Sequence, residues 1–219
     1  MKSLFHYESL VMQFLTGIAD LIILNVIYMI FCIPIVTIGA ATTALYRVML
    51  NYEKEETAGP IGQFWRAFCE NLKSSTILYL IMLIPMICMV FFVVPFVAAL
   101  YNESRVSLLL CCFSILLVVM IWSFLWPMQA QFDNSIGNTI KNSLILSILH
   151  FPRSILMSAI NLLPLLLLFL PEPLFLRLSI LWVLIGFSLA AKMNTKIVLK
   201  VFQPFLQVAE VRSSETFEE

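Results

Sequence analysis

The stretch LIILNVIYMIFCIPIVTIGAATTALY, residues Leu21 to Tyr46, contains no Asp, Glu, Lys or Arg. It is longer than the ~20 residues an α-helix needs to cross a hydrocarbon core of about 30 Å. Working outward, Ser74–Asn102 and Val106–Phe132 are also free of charge and also long enough. Ser154–Pro171 just suffices. Leu178–Ala191 covers only roughly 21 Å at 1.5 Å per residue, so Arg177 and Lys192 must snorkel along their aliphatic stems to complete that span.

Composition agrees with the windows. The 219 residues are 61% hydrophobic and 12% charged, with a mean hydropathy of +0.98, whereas soluble domains sit near ~45–50% apolar and ~25% charged. Both a water-soluble globule and a disordered chain are thereby excluded. Thirteen basic residues balance thirteen acidic ones, so no global basic surface draws the chain to nucleic acid. The expected fold class is all-α: a polytopic integral membrane helical bundle, one domain over residues 1–209, followed by a short acidic tail at 210–219 expected to be disordered and cytoplasmic.

Pro34 and Gly39 complicate the first window. One continuous helix gives five long spans. If instead Leu15–Ile33 crosses, Pro34–Ile38 turns and Ala40–Asn51 returns, the bundle has five long helices plus one short. The second arrangement places Lys2 inside and keeps the outer loops short, so the balance tips its way. Arg47, Lys54, Arg66, Lys73, Lys141, Arg153, Lys192, Lys196, Lys200 and Arg212 fall in alternate connections, against one basic residue in each opposite loop, Arg105 and Arg177. The positive-inside rule then predicts a cell-membrane protein with a cytoplasmic C-terminus.

Two cytoplasmic stretches have helical amphipathic spacing and are expected to lie in the interface. In Ile61–Lys73, Ile61, Phe64, Trp65, Phe68 and Leu72 share a face opposite Gln63, Arg66, Glu70 and Lys73. Asn134–Leu149 repeats the pattern through Ile136, Ile140, Leu144 and Ile148. Each precedes a span with an internal proline, Pro85 or Pro164. Such paired interruptions mark binding sites in some transporters, although proline is also tolerated in membrane helices for structural reasons.

Catalytic chemistry has few candidates. No carboxylate, His or basic residue falls at mid-depth in a window, which argues against a proton relay or an intramembrane aspartyl protease. Neither a Walker motif nor G-x-S-x-G occurs. The five cysteines lack C-x-x-C spacing and only two histidines are present, so neither a disulfide framework nor a metal site is expected. No enzymatic activity and no cofactor are expected. What remains polar within the windows is neutral: Asn25, Thr37, Thr42, Thr43, Ser107, Ser114, Ser123, Gln129, Ser158 and Asn161. Such residues can line a cavity for a polyhydroxylated solute, but more often pair helix to helix. Lys192, Lys196 and Lys200, at i, i+4 and i+8, form a stripe suited to lipid anchoring or to an acidic partner or headgroup.

Three stretches carry a family resemblance. Pro34-Ile-Val-Thr37-Ile-Gly39-Ala-Ala-Thr42-Thr43-Ala-Leu-Tyr46, then Phe64-Trp65-Arg66-Ala-Phe68-Cys-Glu70-Asn71-Leu-Lys73, and Gln131-Phe132-Asp133 with Lys141-Asn142 resemble signature stretches of the bacterial YesL membrane family. Ala40 stands where relatives often carry proline. The family has no established biochemical activity, and its members are associated with carbohydrate uptake of the ATP-binding-cassette (ABC) type. The resemblance implies a non-enzymatic membrane protein whose partners are the lipid bilayer and subunits of a sugar ABC transporter. It places any binding site at Thr37, Gly39, Thr42, Thr43, Asn71, Asp133 and Asn142. The alternative is a small solute transporter or facilitator acting as a homo-oligomer.

Overall fold

Proline 34 ends the first helix. It has no amide hydrogen to donate, and its ring disfavours helical geometry at the residue before it. In the computed structural model, which describes residues 2–52, 59–88, 91 and 105–215, helix α1 (Lys2–Cys32) stops just short of Pro34. A 3-10 turn (Ile35–Thr37) and helix α2 (Ile38–Tyr52) follow. Thr37 Oγ1 seals the corner, lying 2.7 Å from the carbonyl of Phe31 and 2.8 Å from that of Pro34, so one of the orphan carbonyls at the end of α1 finds a donor. Tyr28 Oη sits 3.3 Å from Thr42 Oγ1, and Tyr52 donates to Asp20 Oδ2 at 2.9 Å. The two helices are therefore antiparallel, and Leu21–Tyr46 is a broken pair.

Helix α3 (Pro60–Cys88) runs without interruption through Lys73 and Pro85. The separate interfacial helix expected at Ile61–Lys73 is instead the first half of α3. No Pro or Gly stands at the junction, Ser74 Oγ donates back to the Asn71 carbonyl within the same helix, and Phe64 and Phe68 are buried with their rings 5.7 and 4.7 Å from that of Phe31. The middle of the amphipathic stripe, Phe64 and Phe68, thus faces α1 protein, while Ile61, Trp65 and Leu72 at its margins stay exposed. Most of the far half of the Ser74–Asn102 window lies outside the described residues.

Helix α4 (Arg105–Gln131) leads to α5 (Ile136–Leu149), which is separate, as expected, and N-capped by Ser135. A 108° bend joins α5 to α6 (Phe151–Leu167). Helix α7 (Glu172–Leu181), a π-turn (Trp182–Gly186) and α8 (Phe187–Glu215) then form one long rod; of the tail expected at 210–219, residues 210–215 are the rod's last turns and 216–219 lie outside the described residues. Among the described residues, four stretches are long and apolar enough to span a bilayer: Phe14–Cys32, Pro60–Cys88, Phe113–Gln131 and Glu172–Leu206. The α5–α6 pair makes a fifth only as a broken span. Every described element is helical, and large apolar side chains such as Ile33, Leu109 and Phe169 stand exposed, the last at 85%. That inversion is stable where hydrocarbon rather than water is the solvent. The protein is a helical membrane bundle.

Helix α2, at 15 residues, is the most enclosed element, packed on α1, α3, α4 and α8. Its small residues Gly39, Ala40, Ala41 and Ala44 are buried. A Cβ on Gly39 would come within 2.6 Å of both the Ser75 carbonyl oxygen and Tyr79 Cβ. The glycine is what lets the α2 and α3 backbones cross this closely. A second cluster, with Phe124, Met157, Val198 and Phe202 at its centre, ties α4 and α6 to α8.

Candidate functional site

The sequence TTALY at 42–46 rotates about 100° per residue around α2, so adjacent residues meet different neighbours. Thr43 turns toward α3, where its Oγ1 donates to the Gly39 carbonyl at 3.0 Å and accepts from Ser75 Oγ at 2.9 Å. Thr42 donates to the Ile38 carbonyl at 2.7 Å and, with Tyr28 and Tyr46, borders a cavity of about 540 Å³. Trp122 and Trp126 of α4, their rings crossed edge to face at 5.2 Å, and Asn161 of α6 form the opposite side. A smaller recess of about 90 Å³ shares Tyr28, Thr42, Tyr46 and Asn161 and adds Trp182.

Behind these walls runs a buried relay of neutral polar groups. Asn194 Nδ2 donates to Tyr46 Oη at 3.1 Å and to Asn161 Oδ1 at 2.8 Å. Asn161 Nδ2 donates to Ser123 Oγ at 2.9 Å, and Ser123 donates to the Val119 carbonyl at 2.8 Å. Helices α2, α4, α6 and α8 therefore meet through one chain of hydrogen bonds, each donor oriented by the next. The relay is incomplete. Among the described residues, Trp126 Nε1, Trp182 Nε1 and Asn194 Oδ1 are buried without a partner. Unpaired polar atoms in a low-dielectric interior are costly, on the order of 1–3 kcal/mol each; Trp126 borders the larger space and Trp182 the smaller, whereas Asn194 lines neither.

Among the described residues no charged side chain borders either space, and no three of His, Cys, Asp and Glu converge on a metal-sized site. The lining offers aromatic faces, hydroxyls and the Asn161 amide among aliphatic side chains such as Ile38, Val118 and Leu165, so C–H faces can stack on indole and phenol rings while polar groups pair with the hydroxyls and the amide.

The sequence-derived site residues do not come together. Thr37 closes the α1–α2 corner, Gly39 and Thr43 serve the α2–α3 crossing, and only Thr42 reaches the cavity. Asn71 donates to the Ala67 carbonyl of its own helix at 3.0 Å. Its carbonyl ends a second relay in which Thr139 Oγ1 donates to Gln129 Oε1, Gln129 to Ser74 Oγ, and Ser74 to Asn71. Asp133 is exposed between α4 and α5. Asn142 lines a separate apolar groove of about 370 Å³ with Met128, Phe132 and Phe205. Tyr28, Tyr46 and Asn194 were missed. The tyrosines pass in sequence for ordinary members of an apolar run, and Asn194 hides between Lys192 and Lys196 in an apparent cationic stripe.

The division between adjacent threonines is testable. Thr43→Val strands the buried Ser75 hydroxyl and is expected to lower stability by about 1–2 kcal/mol, while Thr42→Val, at the cavity wall, costs about 0.5 kcal/mol. Thermal unfolding in detergent compares them; equal shifts would show that the Thr43–Ser75 contact contributes nothing particular.

A family model described as "Protein of unknown function, DUF624" matches residues 21–94. That segment contains the α1–α2 corner, the α2–α3 crossing and the Tyr28–Thr42–Tyr46 wall, but not the walls that α4, α6 and the final rod supply. No curated protein and no solved structure matches the chain.

Proposed function

We propose that the protein is a non-enzymatic component of carbohydrate uptake in a bacterial cell membrane, with its C-terminus in the cytoplasm, and that it holds a neutral saccharide in the cavity between Thr42, Trp122, Trp126 and Asn161. The observation that carries this reading is the wall itself: the crossed Trp122 and Trp126 rings stand opposite the Thr42 hydroxyl beside the Asn161 amide, with no charged side chain among the described lining residues. The resemblance to the YesL family supports the carbohydrate class and an ABC-type importer as the partner assembly. Nothing in the proposed site supplies a general base or a nucleophile, so binding rather than turnover is its role.

Titrating the purified protein in nanodiscs with neutral di- and trisaccharides, followed by tryptophan fluorescence and calorimetry, tests the binding step. Saturable binding is expected, weakened about tenfold or more by Trp122→Ala through loss of stacking worth ~1.4 kcal/mol or more. No saturable signal at millimolar saccharide would sink the proposal. The partner assembly is tested separately: affinity purification from native membranes at endogenous expression should recover permease or ATPase subunits, and recovery of the chain alone counts against an accessory role.

A second reading, a facilitator acting as a homo-oligomer, is favoured by the interruptions in helices that supply walls to the two spaces: the Pro34 corner before α2, the 108° bend before α6 and the π-turn in the last rod. Irregular backbone beside a cavity is a recurring feature of transporters. Labelled-saccharide uptake into proteoliposomes above that of empty vesicles would promote this reading over the accessory one.

A further inference from the structure

The lysine stripe on α8 does not border the saccharide cavity. Lys192 and Lys196 instead stand on the rim of a separate groove of about 450 Å³ between α1 and α8. Its walls are apolar and outward-facing, with Phe14, Leu189 and Met193 all exposed. Gly17 opens the α1 side: a Cβ there would meet only Tyr52 Oη, at 3.9 Å. Lys192 is held in position, its Nζ 5.2 Å from the centre of the Tyr52 ring, and Tyr52 is itself fixed by its hydrogen bond to Asp20. Asp20 borders the adjoining recess together with Lys192, Tyr52, Gly17 and Leu21, not the groove with its apolar wall at Leu189 and Met193.

We infer that this groove is a binding site for one anionic glycerophospholipid, with the phosphodiester between Lys192 and Lys196 and an acyl chain laid along Leu189 and Ile185. Two observations select a lipid over an acidic protein partner. The groove lies between Phe14–Cys32 and Glu172–Leu206, both long and apolar enough to span a bilayer, so its walls face acyl chains. Its basic residues sit one helical turn apart at one end only, which matches a molecule with one anionic head and a long apolar body. Lys192 is oriented by its aromatic partner, whereas a lysine that only anchors the helix needs no fixed position.

Native mass spectrometry of the full-length protein, released from detergent with phosphatidylglycerol or phosphatidylcholine of identical acyl chains, tests the site. Preferential retention of one phosphatidylglycerol per chain is expected. The Lys192→Gln/Lys196→Gln double variant should bind it about thirtyfold more weakly, the loss expected for two headgroup charges. Lys200→Gln, on the same helix but outside the groove, should stay within about twofold of the parent. Gly17→Trp, which fills the groove and leaves both lysines in place, should also lose the lipid, with a matched unfolding temperature confirming that the fold survives. The inference fails if phosphatidylcholine is retained equally, if Lys200→Gln weakens binding as much as the double variant, or if glycerol 3-phosphate displaces the lipid at equal concentration.

Discussion

Replacing Gly39 by alanine is expected to destabilise the bundle by about 2–3 kcal/mol, although alanine is the better helix former by up to ~1 kcal/mol. The new methyl would approach the Ser75 carbonyl oxygen and Tyr79 Cβ to 2.6 Å. Both belong to or stand directly on the α3 backbone, so no flexible side chain can swing away. The helices must separate instead, and separation also lengthens the Ser75–Thr43 hydrogen bond, 2.9 Å in the native packing. In detergent the apparent unfolding temperature should fall by roughly 5–10 °C, on the scaling of about 2–4 °C per kcal/mol for chains of this size. Gly39→Leu should not accumulate in the membrane at all. An unchanged or raised midpoint for Gly39→Ala would mean that α2 and α3 do not cross at this point.

Asn25→Leu is expected to cost a similar amount, about 2–4 kcal/mol, by a different route. The Asn25 amide bridges two backbone groups of the last rod: its Nδ2 donates to the Val183 carbonyl at 2.6 Å, and its Oδ1 accepts from the Ser188 amide at 2.9 Å. Those groups lie five residues apart, the spacing of the π-turn at Trp182–Gly186. A π-turn interrupts the regular helical ladder, and Asn25 supplies a partner on each side of the interruption. Ser188 Oγ returns the contact by donating to the Leu21 carbonyl at 2.6 Å. Leucine fills the volume and offers no hydrogen bond, so two backbone groups are left unpaired in a medium without water. Hydrogen–deuterium exchange should rise over 182–190 in this variant while α3 stays protected. If exchange there is unchanged, the bridge is dispensable.

The saccharide reading depends on a relay that passes through four helices, and this explains why so little of the site was legible beforehand. Ser123 and Asn161 stood out as neutral polar residues inside apolar windows, where pairing between helices was the more ordinary expectation, and pair they do. Asn194 did not, because its sequence neighbours are lysines and its environment read as an aqueous rim. The threonine-rich corner read as one site. On the folded helix it divides, with Thr37 spent on the turn, Thr43 on the α3 crossing, and Thr42 alone left to face the cavity.

The two amphipathic stretches make the same point about the fold. Ile61–Lys73 and Asn134–Leu149 have similar periodicity, yet the first continues straight into α3 and the second bends away from α6 by 108°. A proline follows the bend: Pro152, beside the α5 C-cap His150. No such residue separates Lys73 from Ser74. An apolar stripe states that a face must be buried. It does not state whether protein or lipid buries it.

From composition and charge placement alone came the solvent, because a chain with this little charge and this much aliphatic surface has nowhere to fold but within hydrocarbon. The α1–α2 break was the favoured of two arrangements that Pro34, lacking a donor, left open, and the folded chain decided it. Helix partners came only from the tertiary structure, which decided that α2 lies at the centre, that Asn25 mends the π-turn, and that Tyr46, Asn161 and Asn194 share one chain of hydrogen bonds. Inside a bilayer every apolar face is equally acceptable to lipid, so hydrophobicity sets depth, while close backbone approach and polar pairing choose the neighbours.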